Sequence, residues 1–238
     1  MIHIFIFIIG ACFGSFVNVM FSRKDWYKGR SRCDNCGYTL KWYDLIPIIS
    51  YITLRGRCRN CKAKIDPAHL YSEILSGLTF VCISYCTTRL EVWKLVLCAV
   101  GLIFLCLASI EDIKEKMVYE KLLYAGIALT LGVKLTPLAI YGNWKLIVNE
   151  VIAVGLFKLI AFFICKLFPN KIGEGDFDLF IIILLMFGII GMMRCITFGS
   201  LVGCLIYSPL ILLKRYDKTE PLPFAPLLLI GSILNCFI

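Results

Sequence analysis

Two residue types in this 238-residue chain stand at spacings that can do chemistry: paired cysteines, and aspartates at the edges of apolar runs. Cys33, Cys36, Cys58 and Cys61 form two C-x-x-C pairs, R-C-D-N-C-G at 32–37 and R-C-R-N-C-K at 57–62, separated by 21 residues. Each pair suits a knuckle turn that aims two thiolates at one ion, and two knuckles complete a tetrahedral four-cysteine zinc site. Such a site has no open coordination position, so it folds the segment and hydrolyses nothing. Arg32, Arg57 and Arg59 are placed to offset the thiolate charge. Disulfides or free thiols are the other readings, and a reducing compartment disfavours disulfides. The remaining nine cysteines lie in or beside apolar stretches at no ligand-like spacing and read as small core hydrophobes.

The acids pose a sharper question. In K-I-G-E-G-D-F-D-L-F, residues 171–180, Asp176 and Asp178 stand where a run without charge begins, from Leu179 to Met193. A second apolar run finishes at Ser109-Ile110-Glu111-Asp112. Asp112 and Asp176 are 64 residues apart, yet they meet if these two ends lie on one side of a membrane. Two carboxyls sharing a site cannot both ionise cheaply, so one keeps a proton while the other stays charged. The charged one can take a proton from water attacking a carbonyl, and the protonated one can donate to the carbonyl oxygen. Gly173 and Gly175 suit a backbone that bends and lets a substrate strand approach. Taken alone, either aspartate is better explained without catalysis, because acids in a helix's first turn favour the macrodipole and acids at a membrane interface often do nothing more. Glu111, Glu73 and Asp178 are rival acids, with Glu111 about 100° around a helix from Asp112. Glu73 reads as an anchor for the end of its own span. His3 and His69 are isolated, and the chain has no P-loop and no dinucleotide fingerprint.

The elements that must position these groups are apolar. The chain is 60% hydrophobic and 17% charged, with a mean hydropathy of +0.84, which excludes an ordinary soluble domain. Long apolar stretches predict an all-α polytopic membrane protein of about eight transmembrane helices, near 2–20, 70–88, 92–110, 122–140, 146–165, 178–193, 196–213 and 222–238. The first lacks a basic start and is followed by basic residues, so it reads as a retained helix. Of 25 Lys/Arg, nineteen fall at 21–68, 112–121, 166–176 and 214–220, all on one side of the eight-span arrangement. Positive-inside bias puts that side in the cytoplasm and the N-terminus outside. This topology accounts for the +9 net charge without a nucleic-acid partner. The expected organisation is a first transmembrane helix (1–20), a small cytoplasmic zinc-binding insert (21–68) and a membrane core (69–238). Gly10 and Gly14, at G-x-x-x-G spacing, read as a helix-packing face.

In this order the motifs resemble the type IV prepilin peptidase family, bacterial leader peptidases of the G-x-G-D aspartyl class. Gly14-Ser15-Phe16-Val17-Asn18-Val19 resembles the family's G-S-F-x-N-V motif, and Ser31 to Ile65 its tetracysteine domain, with W-Y-D-L-I-P at 42–47 and L-R-G-R-C at 54–58. Asp112 matches the first catalytic aspartate, Gly173-Glu174-Gly175-Asp176 the G-x-G-D motif, and Pro223-Phe224-Ala225-Pro226 the P-F-G-P motif. Three positions depart: Tyr119 where proline is usual, Asp178 where lysine is usual, and Ala225 where glycine is expected. The resemblance implies an intramembrane aspartyl endopeptidase at the inner membrane. Its catalytic residues are Asp112 and Asp176, with Gly173 and Gly175 in the active-site loop. It implies cleavage of prepilins or pseudopilins after a glycine at the cytoplasmic face, and N-methylation of the new N-terminus with S-adenosylmethionine. A peptidase without methylation is the nearer alternative. A proton-coupled transporter with a zinc-binding docking insert is the other; it calls for mid-span polar groups, and the candidates, Asn149 and Glu150, lie near the outer end of their span. The sequence does not choose among substrates or fix an oligomeric state.

Overall fold

The computed structural model describes residues 2–22, 27, 29–142, 144–167, 173–212 and 222–238. The chain forms two compact units, Met1–Ser84 and Tyr85–Ile238. Among the described residues the regular structure is helical, apart from two isolated β-bridges.

The first unit holds α1 (Ile2–Ser22), a 3₁₀ turn (Trp42–Leu45), the short α2 (Ile49–Thr53) and α3 (Ala68–Cys86). The expected packing face is used: a Cβ at Gly10 would stand 2.7 Å from the Ser76 carbonyl oxygen, and one at Gly14 2.8 Å from that of Ser72. Glycine on α1 and serine on α3 thus let two backbones approach, and the Asn18 amide donates to the Ser72 hydroxyl across the contact. The bridges Arg32↔Thr39 and Arg57↔Lys64 occupy equivalent places in the two cysteine segments, so the sequence repeat is also a structural one.

The second unit contains α4 (Val92–Glu115), α5 (Glu120–Ile140), α6 (Trp144–Leu167), α7 (Glu174–Leu212) and α8 (Ala225–Cys236). Leu102, Leu105 and Ile110 of α4 are buried with Leu123 of α5, Ile181–Ile183 of α7, and Leu228 and Leu229 of α8. By contrast, Ala161 is the one residue of α6 that is buried, as suits a helix with most of its surface against lipid. Small residues bring α7 and α8 together: a Cβ on Gly199 would lie 2.7 Å from the Leu227 oxygen, and one on Gly231 2.1 Å from that of Cys195.

All eight expected apolar segments are helical, and they form seven helices. The segments 178–193 and 196–213 are both in α7, which breaks at Gly188 with φ 70° and ψ −176°. That conformation is essentially glycine's alone, so the break falls there and the helix runs on through Arg194. Among the described residues, five helices are long and apolar enough to cross a membrane: α1, α4, α5, α6 and the Gly175–Pro209 stretch of α7. α8, at 12 residues, is about 18 Å long, short of a hydrocarbon core of about 30 Å. Of the basic residues behind the expected orientation, Arg23, Lys24, Lys28, Lys171, Lys214, Arg215 and Lys218 lie outside the described residues.

Candidate active site and metal centre

α4 ends in a left-handed residue, Lys116 (φ 54°), whose N–H closes on the Asp112 carbonyl at 2.9 Å. Asp112 therefore occupies the last turn, and its side chain is buried at 8% exposure. Its Oδ2 accepts the Ala225 N–H at 2.9 Å, and the Phe224 N–H donates to the same carboxylate. Phe224 is the N-cap of α8 and Pro226 stands in its first turn, where a missing N–H costs nothing. The orphan donors of a helix start are thus spent on holding Asp112. The sequence pattern placed P-F-A-P in the chain without revealing this, because the groups involved are backbone N–H groups.

Asp176 is the third residue of α7, and Gly173 directly precedes the helix. The Asp176 N–H bonds the Gly173 oxygen at 3.2 Å, and the Gly173 N–H donates to the Asp176 carboxylate. This is the acid-to-N-cap half of a capping box, so G-E-G-D is also a helix start signal. Neither Gly173 nor Gly175 has a positive φ. A Cβ at Gly173 would meet Asp176 Oδ2 at 3.7 Å, and one at Gly175 would meet Leu123 at 3.5 Å, both ordinary contacts. Helix packing therefore leaves room for larger residues at both positions. α4 packs against α7, and the Asp112 and Asp176 carboxyls lie within electrostatic reach of each other. The rings of Phe177, Phe180 and Phe224 form a row, with centroids 6.0 and 5.9 Å apart along it. Two carboxyls at helix ends, within electrostatic reach of each other, can perform general acid–base chemistry on water.

The rival acids have other partners. Glu111, at 2% exposure, accepts the N–H of Tyr119, the N-cap of α5, at 3.1 Å and fixes the turn between α4 and α5. Asp178 is buried and pairs with Lys158 of α6 at 2.9 Å. The same ammonium lies 4.2 Å from the Tyr124 ring centroid. In the first unit Glu73 accepts the Ile48 N–H at 2.7 Å and a bond from the Ser15 hydroxyl. Glu150 is paired at 2.9 Å with Lys134.

The four cysteines predicted as ligands come together, with their sulfurs all within 4.8 Å of one another. Cys33 and Cys61 are 3.9 Å apart, against about 3.8 Å for sulfurs bound tetrahedrally at 2.3 Å. The Asn35 amide reaches the Cys61 sulfur at 3.6 Å and the Asn60 amide the Cys36 sulfur at 3.8 Å, so each knuckle donates to the other. The repeated N-C step in the two motifs was the available signal for this cross-bracing. The Ala63 backbone N–H, with Asn35, lowers the Cys61 thiol to about 6. Cys33 is drawn down by the Cys36 backbone N–H, but desolvation and neighbouring thiols outweigh this and push it up to about 11. Four thiolates this close need a cation between them, and the donor set fits zinc. Arg59, expected to offset thiolate charge, instead pairs with Asp44 at 2.9 Å and lies over the Tyr43 ring.

Comparison with known proteins gives one family. The model of the bacterial peptidase A24 N-terminal domain matches residues 8–87. The prepilin leader peptidase/N-methyltransferase of Bacillus subtilis (strain 168) is 27% identical over 235 residues, 96% of this chain and 91% of that protein. The type 4 prepilin-like proteins leader peptide-processing enzyme of Escherichia coli O78:H11 is 27% identical over 213 residues, 88% of this chain and 76% of that one. The prepilin leader peptidase/N-methyltransferase of Myxococcus xanthus (strain DK1622) is 42% identical over 81 residues, 32% of this chain and 24% of the relative. No solved structure matches the chain.

Proposed function

The chain belongs to the type IV prepilin peptidase family, and from that premise we propose that it is an intramembrane aspartyl endopeptidase acting through Asp112 and Asp176. The observation that carries the reading is the meeting of these two carboxyls from α4 and α7, each held by backbone N–H groups at a helix start. The ionised member of the pair takes a proton from the attacking water. The protonated member donates to the scissile carbonyl oxygen and then serves the departing amine. The two titrate as one unit, so neither role is assigned to a single aspartate. Gly173 and Gly175 keep the approach to Asp176 free of side chains, which packing inside the unit does not require.

The substrates are prepilins or pseudopilins, cut after a glycine where a basic leader meets a hydrophobic helix. The substrate helix lies in the bilayer, with its leader on the cytoplasmic side of the inner membrane, the side of the basic loops. Cys33, Cys36, Cys58 and Cys61 would hold a zinc ion that fixes the fold of the insert. The names of the relatives support N-methylation of the trimmed N-terminus with S-adenosylmethionine as methyl source. The transporter alternative is disfavoured by Glu150, which is paired with Lys134.

Co-expression with a prepilin tests the reading. Asp112→Asn and Asp176→Asn should each abolish cleavage while the protein remains folded in the membrane. Full processing by both variants would reject the aspartyl mechanism. The mass of the mature pilin N-terminus, with or without one added methyl group, reads methylation separately.

A further inference from the structure

The short helix α2 carries its apolar face on the outside. Ser50, Tyr51 and Leu54 line a cavity whose other walls include α1 and α3. Ile49 and Ile52, three residues apart and so on one side of the helix, are left at 58% and 63% exposure. Just before them the 3₁₀ turn sets Trp42 and Leu45 in one row, because side chains at i and i+3 eclipse there. Trp42 is 74% exposed and Leu45 45%. The turn and α2 pack against each other, so four large apolar side chains share one small surface region. Leaving each of them in water forgoes about 1.5–3 kcal/mol of burial.

Depth along α1 says what covers them. α1 is long and apolar enough to cross a membrane, and its 21 residues extend about 31 Å, against about 30 Å of hydrocarbon. Glu73 of α3 ties the start of α2 to this helix, accepting both the Ile48 N–H at 2.7 Å and the Ser15 hydroxyl. Ser15 stands about 10 Å before the end of α1 at Ser22. The tether is held against backbone strain, since Ile48 takes φ 64° and ψ −52°, at a cost of about 1–3 kcal/mol for a β-branched residue. α2 is therefore kept alongside the last turns of α1, level with the boundary between acyl chains and headgroups.

Past α2 the surface becomes cationic. Arg55, Arg57 and Lys62 are exposed, and they line one hollow with Thr53, which neighbours Ile52. An apolar row that leads into a hollow lined by three cations matches a phospholipid followed from acyl chain to phosphate. We propose that the Trp42–Lys62 segment is seated in the membrane interface. Trp42, Leu45, Ile49 and Ile52 lie among the upper acyl carbons, and Arg55, Arg57 and Lys62 meet the phosphates of anionic lipid. The proposal does not depend on the peptidase reading. It gives the insert a second hold on the bilayer, next to the metal centre, because Cys58 lines the same hollow.

The test uses the full-length, zinc-loaded protein in lipid nanodiscs, with Trp26→Phe, Trp93→Phe and Trp144→Phe leaving Trp42 as the one fluorophore. Lipids brominated near the top of the acyl chain should quench Trp42 by about half or more, and lipids brominated near the chain end should quench it less. Acrylamide in the water should reach it poorly. Quenching should be stronger in phosphatidylglycerol discs than in phosphatidylcholine discs. Ile49→Glu/Ile52→Glu, at unchanged zinc content, should cut bromine quenching about twofold or more and open Trp42 to acrylamide. If that variant does not fold, the depth reading on the single-tryptophan protein decides. Arg55→Gln/Arg57→Gln/Lys62→Gln should remove the difference between the two lipids. Trp42 open to acrylamide and untouched by lipid bromine would overturn the proposal. So would shielding that appears only at raised protein concentration, which means a second copy, or only with added prepilin peptide, which means substrate. Equal quenching in both lipids, or a difference that the glutamine variant keeps, would overturn the phosphate contact.

Discussion

Gly231→Ala tests whether α8 positions Asp112 for chemistry. A Cβ at Gly231 would stand 2.1 Å from the Cys195 carbonyl oxygen and 3.0 Å from the Gly199 nitrogen, both backbone atoms of α7 that cannot swing aside. Reaching ordinary contact at 3.4 Å requires α8 to back away from α7 by about 1.3 Å. Ala225 lies six residues earlier on the same helix, about 9 Å along its axis, so a rigid shift reaches it with little loss. The Ala225 N–H···Asp112 bond, now 2.9 Å, would be skewed or stretched toward the limit of hydrogen bonding. Hydrogen bonds to charged groups contribute about 1.5–3 kcal/mol, which corresponds to about 13- to 160-fold in rate if the bond serves the transition state. The assay is cleavage of a purified prepilin under single-turnover conditions, with melting temperature measured on the same sample. Gly155→Ala is the control, since a Cβ there meets nothing within 4 Å. Cleavage by folded Gly231→Ala within about twofold of wild type would refute the argument, because the perturbation would have reached α8 without reaching Asp112.

Three further outcomes are expected. Lys158→Met strands Asp178 at 5% exposure, which for a fully buried pair costs about 3–5 kcal/mol; Lys158 is 44% exposed, so the lower end applies. Lys158→Met/Asp178→Leu should recover much of that loss in melting temperature, and a double variant no more stable than the single one would count against the pair. Chelating the metal, or Cys58→Ser, should release zinc and expose the remaining knuckle cysteines to alkylation, read by mass spectrometry. Equal alkylation before and after chelation would show that no metal was held. Tyr119→Pro removes the N–H that bonds Glu111 and should cost about 1–3 kcal/mol in stability, whereas Tyr119→Phe keeps that N–H and should cost less.

What was legible in the sequence follows from how local each signal is. The cysteine cluster needed only a short repeat whose geometry is set by a few residues, and the four sulfurs converge as its spacing predicted. G-E-G-D was legible twice over, as an acid motif and as the start of α7. The spans 178–193 and 196–213 implied a break between residues 193 and 196, but it falls at Gly188, where backbone conformation decides. Arg59 shows the limit of arguing from proximity along the chain. Its neighbour Cys58 suggested thiolate neutralisation, while the fold brings it to Asp44, 15 residues away. Lys158 and Asp178 are far apart in the sequence, and their pairing depends on which faces of α6 and α7 meet.

The three departures from the family pattern each acquire a physical account. Tyr119 stands where proline is usual, and it brings an N–H that proline lacks; the buried Glu111 uses that N–H. Ala225 stands where glycine is expected, and its contribution to Asp112 is an N–H that either residue supplies. Asp178 stands where the resembling family usually has a lysine two residues after Asp176, and here a lysine from α6, Lys158, pairs with it. The local effect is close to charge balance: the acid in the first turn of α7 has beside it the cation that neutralises it. The pair also ties α6 to the first turn of α7, the turn that carries Asp176, across the ring of Tyr124. A helix with otherwise little buried surface is thereby fastened at the point where its displacement would disturb the site most.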